Sequence, residues 1–306
     1  MNIISNYING NSNVTIYDEG TRHITYPSNE KLSIDTPLNI DIKVTNKCSL
    51  GYNPKTDSSI CSFCHESART DGGFCDFELL KSKLKGLPKG LELAIGANSI
   101  SESFIDFLRW TSDQGYINNL TINQFHIKKY ATEIRYLLSD KLIYGLGISL
   151  RDAKLLANLP EDIIKYPNTV IHVIAGLDNP GDIQTLLINE ISNKILILGY
   201  KTFGFGDTYF EDNKSDIQDN ILQWRLQIAN LINLSKDNII SFDNLALDQL
   251  LIKDIVSDDQ WDTFYQHEFS MYINAPDGLY SESSRSGNYT SWESTTLIDY
   301  FKSLNL

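Results

Sequence analysis

The chain has 306 residues, of which 42% are hydrophobic and 21% charged, and its net charge is −13. This composition excludes disordered, collagen-like and coiled-coil chains. The acidic balance argues against non-specific nucleic-acid binding and against an anionic membrane surface. No apolar run approaches the ~20 residues of a membrane span, and the N-terminus lacks a secretory pattern, so we expect a soluble, cytoplasmic protein.

The start of the chain predicts a β-hairpin. β-rich runs at 13–17 and 21–26 flank Asp18-Glu19-Gly20, a turn sequence that ends in glycine. We interpret residues 1–36 as an N-terminal extension that precedes the core.

Strands and helices then alternate along the chain. Six strand-then-helix units predict an α/β fold with a parallel sheet, as either a doubly wound sheet or a barrel, complete or partial. The strands are predicted at 39–45, 91–95, 120–125, 144–150, 169–175 and 194–201. The helices are predicted at 77–87, 101–114, 127–138, 153–159 and 181–189, and a longer helix at 215–233 closes the unit, which spans residues 37–236.

The pattern changes in the last part of the chain. Residues 237–306 are predicted to be a C-terminal extension that packs on the same core. Its segments are 239–242, 244–251, a strand at 269–274, a serine-rich stretch at 281–291 and a last helix at 294–304.

All four cysteines lie between residues 48 and 75, directly after the first core strand. Without a secretory signal, a metal or iron–sulfur site is favoured over a disulfide. Cys48, Cys61 and Cys64 suit a [4Fe–4S] cluster with one open iron, whereas Cys75 or His65 as a fourth ligand would suit zinc. Both alternatives remain open on the spacing alone.

The segment resembles the radical S-adenosylmethionine (SAM) superfamily, whose signature is Cys-x3-Cys-x-aromatic-Cys after the first strand of a partial (β/α)6 barrel. Cys61, Phe63 and Cys64 match its second half. The first gap departs from the signature, because twelve residues, 49–60, replace three. Some members have expanded first gaps, including 7-carboxy-7-deazaguanine synthases.

The resemblance covers nearly the whole chain and extends to a bacteriophage-encoded subgroup of unassigned substrate. The similar stretches are Tyr7-Ile8-Asn9-Gly10-Asn11, Asp18-Glu19-Gly20-Thr21, Asp41-Ile42-Lys43, Phe63-Cys64-His65-Glu66-Ser67, Leu198-Gly199-Tyr200-Lys201-Thr202-Phe203-Gly204 and Ser270-Met271-Tyr272-Ile273-Asn274.

The resemblance implies an enzyme in which Cys48, Cys61 and Cys64 hold the cluster. An electron from a flavodoxin- or ferredoxin-type donor would cleave SAM to a 5′-deoxyadenosyl radical, which abstracts hydrogen from a small-molecule or peptide substrate. The cofactor supplies that chemistry, and the protein supplies ligation and orientation.

The resemblance also implies which residues contact SAM. Phe63 occupies the aromatic position. Gly96, Ala97 and Asn98 replace a Gly-Gly-Glu-type motif, with one glycine and no glutamate in common. Ser149 matches a polar position at the end of the fourth strand, although it equally suits a helix cap. His172 lies in the fifth strand, where a core role is the alternative. These six residues are therefore the predicted SAM contacts.

Alternating strand residues predict a polar face. Asp41, Lys43 and Thr121 oppose apolar neighbours, which favours a ligand cavity over a filled barrel, with one solvated face as the alternative. The predicted substrate residues are Lys43, Asn123, Lys201, Tyr272 and Asn274, and residues 269–284 are predicted to close the mouth of the barrel.

Two other functions are consistent with the sequence. A zinc- or cluster-stabilised binding module without turnover would explain the degenerate motif at Gly96-Ala97-Asn98. A 7-carboxy-7-deazaguanine-synthase-like enzyme would explain the expanded gap, but the missing Gly-Glu pair and the long C-terminal extension argue against it.

Overall fold

The computed structural model describes residues 2–188, 190–234, 238–261 and 269–304. The strands are β1 (Ile3–Asn9), β2 (Ser12–Tyr17), β3 (Arg22–Thr25), β4 (Asn39–Lys43), β5 (Lys47–Asn53), β6 (Ser58–Ser59), β7 (Glu92–Gly96), β8 (Ile117–Asn123), β9 (Gly145–Ser149), β10 (Thr169–Ile174), β11 (Lys194–Leu198), β12 (Ile239–Phe242), β13 (Ser270–Asn274), β14 (Leu279–Ser281) and β15 (Thr290–Ser291). The helices are α1 (Phe77–Leu84), α2 (Glu102–Asp113), α3 (Ala131–Ser139), α4 (Ala153–Leu156), α5 (Glu161–Ile164), α6 (Pro180–Ile188), α7 (Phe205–Leu234), α8 (Asn244–Gln249), α9 (Asp258–Trp261) and α10 (Leu297–Ser303).

The fold is a mixed α/β structure built on a ten-stranded, mostly parallel sheet in the order β12-β11-β10-β9-β8-β7-β4-β13-β14-β15. Strands β12 to β13 in this order run parallel, whereas β14 and β15 pair antiparallel. The sheet is not closed, since β12 and β15 are its edges. No described helix has the length and apolarity needed to cross a bilayer.

The six predicted core strands are all present in the sheet, but it is wider than the sequence indicates. Strands β12 and β13, which follow residue 237, pair in parallel with β11 and β4. The predicted C-terminal extension therefore contributes strands at both ends of the sheet. The predicted closing segment is likewise a member of the sheet, because main-chain pairing with β4 satisfies its backbone groups.

Several element boundaries differ from the prediction. The predicted N-terminal hairpin is a three-stranded sheet, since β1 pairs with β2. The helix predicted at 127–138 begins at Ala131, after a short 3₁₀ turn. The helix predicted at 153–159 is the single-turn helix α4, and a second single-turn helix, α5, begins after its N-cap residue Pro160. The helix predicted at 215–233 begins ten residues earlier, at Phe205, and contains a kink at Asn213.

The two faces of the sheet differ sharply in polarity. Side chains at alternate positions of seven strands are buried beneath the helices, and the residues are Ile40, Ile42, Leu93, Ile95, Leu120, Ile122, Leu146, Ile148, Ile171, Val173, Ile195, Ile197, Met271 and Ile273. The opposite face carries Asp41, Glu92, Asn119 and His172, all accessible to water in some degree. Burial of the apolar face supplies the main driving force for folding.

The sheet curls around its polar face. Seven inter-strand steps separate β11 from β14, which corresponds to ~34 Å in a flat sheet. Lys201, three residues beyond β11, nevertheless donates a hydrogen bond to Ser284, three residues beyond β14, at 2.9 Å. Two three-residue segments and a lysine side chain reach only about 27 Å when fully extended. The polar face is therefore concave.

The N-terminal sheet covers the amino-terminal end of these strands. Arg22 of β3 pairs with Glu92 at the start of β7. Lys194 at the start of β11 donates to the Glu19 carbonyl at 2.9 Å. The carboxyl-terminal end, from which the cysteine segment emerges, faces the other way.

Replacing Arg22 with alanine tests this closure. We expect the free energy of unfolding to fall by about 1–3 kcal/mol, because Glu92 is left partly buried without its cation. The control is Arg135→Ala, since the Arg135–Asp162 pair is exposed and we expect a change of at most about 0.5 kcal/mol. Urea unfolding measures both variants, and an equal effect of the two would contradict the assignment.

Candidate functional site

The long gap between the first two cysteines, which its turn-rich composition predicts to be a surface loop, is a β-hairpin with an exposed turn. Strand β5 pairs with β6, with Tyr52 opposite Ser59. Immediately after the hairpin, the Cys61 amide donates to the Leu50 carbonyl at 2.8 Å. The Cys64 amide donates to the Cys61 carbonyl at 3.2 Å. The hairpin thus returns the chain to the start of β5, where Cys48 lies.

Three of the four thiols influence one another. Burial is the main cause that raises the pKa of Cys61, and Cys48 raises it further. Burial raises the pKa of Cys64 to about 11, with an additional contribution from Cys61. Burial raises the pKa of Cys75 to about 12, and no other cysteine contributes. Cys75 belongs to the hydrophobic core and is separate from the other three.

Thiolates are ligands of both iron–sulfur clusters and structural zinc, so the donor chemistry of Cys48, Cys61 and Cys64 is compatible with either group. Among the described residues, no three His, Cys, Asp or Glu side chains are placed to hold a metal ion. His65, the alternative zinc ligand, contacts Glu66 through Nε2 at 3.1 Å.

Glu66 links the cysteine segment to two strands. Its Oε2 accepts a hydrogen bond from the Tyr272 hydroxyl of β13 at 2.8 Å and lies 3.3 Å from Nζ of Lys43 of β4. Burial raises the pKa of Glu66, but the groups of His65, Lys43 and Tyr272 outweigh it and hold the pKa well below its usual value. Burial and Lys201 lower the pKa of His65, so we assign a neutral imidazole that donates to Glu66.

The centre of the concave face carries two groups with shifted pKa values. Burial raises the pKa of Asp41 to about 6, although Lys201 lowers it. Asp41 is nevertheless an exposed residue, so its carboxyl lies on the solvent-accessible concave face and the rise in its pKa is correspondingly smaller. Burial and then Lys201 lower the pKa of His172 to about 4. A Cβ on Gly147 would lie 2.5 Å from the His172 ring, so glycine makes room for the imidazole.

Of the predicted SAM contacts, Gly96 faces open space and Phe63 lies against a cation. Gly96 is exposed on the concave face, and the nearest atom to a Cβ built there is 3.9 Å away, so a ligand can approach its backbone. The Phe63 ring lies 4.2 Å from the Arg151 guanidinium and contacts Tyr209 edge-on.

The other predicted SAM contacts are partly engaged. The Ala97 amide donates to the Thr121 carbonyl at 3.0 Å, and the Asn98 side chain accepts from the Asn123 amide at 2.8 Å. Ser149 lies beside His172 on the concave face. The helix-cap role considered for Ser149 belongs instead to Asp152, whose side chain accepts from the Lys154 amide.

The predicted substrate residues fall into two groups. Lys43, Lys201 and Tyr272 lie together around Glu66 and Asp41. The side-chain Oδ1 of Asn123 instead caps a turn by accepting from the Phe125 amide at 3.0 Å, and the Asn274 side-chain amide donates to the Asp277 carboxylate at 2.8 Å. Oδ1 of Asn274 is buried and has no hydrogen-bond partner among the described residues.

The position of Lys201 on the concave face does not follow from the alternation of residues along strand β11. Strand β11 ends at Leu198, so the alternation that would place Lys201 with Ile195 and Ile197 no longer applies. Glu66 was not singled out from the sequence, although it directly follows the Cys64-His65 pair. Its position beside a cluster motif is the only sequence signal that would have found it.

A cavity of about 510 Å³ occupies the open side of the curled sheet. It lies between the segment that follows β12 and the loop that follows β14, and its lining includes Asn244, Leu247, Ser270, Ser283 and Arg285. Its volume is within the usual range for small-molecule sites.

Comparisons with known proteins identify no relative: no family model, curated protein or solved structure matches the chain. The functional assignment therefore depends on the geometry and on the sequence motif.

The Glu66–Tyr272 contact predicts a stability effect. We expect Tyr272→Phe to lower the free energy of unfolding by about 1.5–3 kcal/mol, because a hydrogen bond to a half-buried carboxylate is lost. Tyr52→Phe is the matched control, since Tyr52 donates to the exposed Asp57 carboxylate at 2.7 Å. If urea unfolding shows the same loss for both variants, Glu66 has no special structural role.

Asp41 predicts a pH dependence of stability. Its folded-state pKa of about 6 lies above the ordinary value of 3.8, so the folded state holds the proton more tightly and loses stability as pH rises from about 4 through 6. Asp41→Asn should remove this loss and be stabilising relative to wild type at pH 7 but not at pH 4. Solvent access to the carboxyl reduces the size of the effect. Urea unfolding at both pH values measures it, with Asp113→Asn as an exposed control.

Proposed function

We propose that this chain is a radical SAM enzyme whose [4Fe–4S] cluster is held by Cys48, Cys61 and Cys64. The observation that carries the proposal is the position of these thiols. They share one segment, they follow β4 at the carboxyl-terminal end of the parallel strands, and that segment borders the polar concave face through Glu66. Active sites of α/β barrels are built at this end of the strands.

The curled sheet supports a partial-barrel interpretation of the fold. Helices cover one face, the other face is concave and polar, and the loops beyond β11 and β14 touch through Lys201 and Ser284. A filled structural barrel would carry branched apolar side chains inside, whereas Asp41, Glu92 and His172 lie here. The concavity is suited to a small-molecule or peptide substrate.

When bound, the cluster and SAM supply a 5′-deoxyadenosyl radical that abstracts hydrogen from the substrate. Phe63, Gly96, Ala97, Asn98, Ser149 and His172 are the proposed SAM contacts. The open surface above Gly96 leaves room for the methionyl group. Lys43, Lys201 and Tyr272 line the adjacent polar region and are the proposed substrate contacts, together with Asn123 and Asn274. A flavodoxin- or ferredoxin-type donor would supply the electron, in a cytoplasmic setting.

A binding module without turnover is the second candidate. The loss of the glutamate at Gly96-Ala97-Asn98 and the engagement of Asn98 by the Asn123 backbone favour it. Anaerobic incubation with SAM and dithionite, followed by assay for 5′-deoxyadenosine, separates the two. Formation of 5′-deoxyadenosine supports the enzyme, and its absence from protein that contains the cluster supports the module.

Individual cysteine variants test the ligand set. Cys48→Ala, Cys61→Ala and Cys64→Ala should each reduce bound iron and the visible absorption of the reconstituted protein, because each removes one thiolate ligand. Cys75→Ala should retain both, since Cys75 is a core residue. Iron analysis and absorption spectra of all four variants provide the measurement. Loss of iron in Cys75→Ala alone would contradict the assignment.

A further inference from the structure

A group of cations surrounds the cysteine segment in a strongly acidic protein. Among the residues that the structure describes, none of these side chains forms an ion pair, although the chain has a net charge of −13. They are Lys47, Lys128, Lys129, Arg151 and Lys154, of which the four lysines are exposed and Arg151 is partly buried. Unpaired cations are unexpected where acidic residues are in excess.

The loops that carry these cations contact one another. Ser49 of β5 hydrogen-bonds His126 at 2.9 Å, which places the β8–α3 connection beside the hairpin. The Gln124 side chain accepts from the Arg151 amide at 2.8 Å, which joins the β9–α4 connection to the same group. Arg151 in turn lies over Phe63, within the cysteine segment. The segments that carry the cations therefore adjoin one another.

Apolar side chains are exposed on the same loops. Ile60, Phe125 and Leu155 have relative exposures of 70%, 45% and 38%. We call these three residues and the five cations the basic patch. Exposed apolar groups within a rim of one charge are typical of protein interaction sites.

Three acidic residues on these segments accept hydrogen bonds. Asp152 accepts from the Lys154 amide at 2.9 Å and caps α4. Asp57 accepts from Tyr52, and Asp71 accepts from Arg69 at 2.9 Å. A hydrogen bond from a neutral amide or hydroxyl leaves a carboxylate charged, so Asp152 still offsets part of the patch. The five cations nevertheless outnumber Asp152 and leave the patch with a net positive charge.

We propose that the basic patch is the docking surface for an acidic one-electron carrier protein, an inference that rests on the proposed function. The proposed reaction consumes one electron for each SAM cleaved. The reduced carrier loses that electron, and the group held by Cys48, Cys61 and Cys64 gains it. The patch adjoins these residues through Arg151 and Phe63, so a carrier bound there has a short path for the electron.

Charge complementarity selects an acidic partner over other proteins. An acidic carrier would be repelled by most of this acidic surface and attracted only at the patch, which orients the encounter. A nucleic acid is less compatible, because a long anionic backbone would meet the acidic remainder of the protein on either side. The exposed apolar centre also favours a protein surface over a phosphate backbone.

Charge reversal tests the proposal. Lys128→Glu/Lys129→Glu alters the patch without touching the cysteine segment. Lys31→Glu/Lys89→Glu is the matched control, because it gives the protein the same net charge as the patch variant. Both residues are exposed; Lys31 lies in the N-terminal extension and Lys89 just before β7. The probe is purified oxidised flavodoxin, whose binding to the full chain is measured by calorimetry at low and high salt.

We expect the patch variant to bind flavodoxin at least about tenfold more weakly than wild type at low salt, and the control to change by less than about twofold. With flavodoxin reduced beforehand as the only electron source, formation of 5′-deoxyadenosine should fall in parallel in the patch variant. Dithionite-dependent formation should be the same in all three proteins, which shows that the patch variant is folded and loaded.

Three outcomes would overturn the proposal. Equal weakening in both variants would show a general charge effect, and wild-type binding by the patch variant would place the carrier elsewhere. Binding of a single-stranded RNA oligonucleotide, lost in the patch variant while flavodoxin does not bind wild type, would assign the patch to nucleic acid. Absence of dithionite-dependent 5′-deoxyadenosine in wild type is a different failure, because it refutes the proposed function. The calorimetry still reports whether flavodoxin binds at the patch.

Discussion

The Glu66 carboxylate is the interaction on which the arrangement of the site depends. A half-buried carboxylate is stable only when cations and hydrogen-bond donors offset its lost hydration, and here Lys43, Tyr272 and His65 do so together. Lys43 comes from β4 and Tyr272 from β13, so one carboxylate fixes the cysteine segment against two neighbouring strands. The segment beyond β11 packs closely against the cysteine segment. A Cβ atom on Gly204 would lie only 2.5 Å from the His65 carbonyl oxygen, so no side chain fits there.

The polarity of the sheet explains both its shape and its electrostatics. Helices cover one face only, so the other face cannot be a second buried layer and instead encloses water. Strand β13 joins beside β4 and carries the next loop back toward Lys201, which completes the concavity from the side opposite to β11. Inside, burial favours the neutral forms of Asp41 and His172, and Lys201 is the cation that both of them experience. The concave face thus carries several hydrogen-bonding side chains, and Lys201 supplies positive charge near its centre.

Much of the fold was predictable from local pattern. The core strands alternate between buried apolar and accessible polar residues, and the helices between them begin at caps such as Asp76 and Ser101. The pattern failed where pairing partners are distant. Strand β1 was not predicted. The β5–β6 hairpin was not predicted either, because Pro54, Asp57 and the serines are residues typical of turns and the strand pairing is short. Strand β13 was recognised as a strand. Its place beside β4, like that of β12 beside β11, depends on contacts that no local window contains.

The sequence by itself determined the α/β class, the alternation of the two faces and the clustering of the cysteines, because each is encoded by residues close together in the chain. It also separated Asp41 and Lys43 from their apolar neighbours by the two-residue period of a strand. Only the tertiary structure decided that Cys75 lies apart in the core, that Lys201 reaches the interior, and that Glu66 joins the cysteine segment to Tyr272. Glu66 and Tyr272 are 206 positions apart. Whether they meet depends on the free energy of packing the whole sheet. The partners of a buried carboxylate are the groups that this packing places next to it.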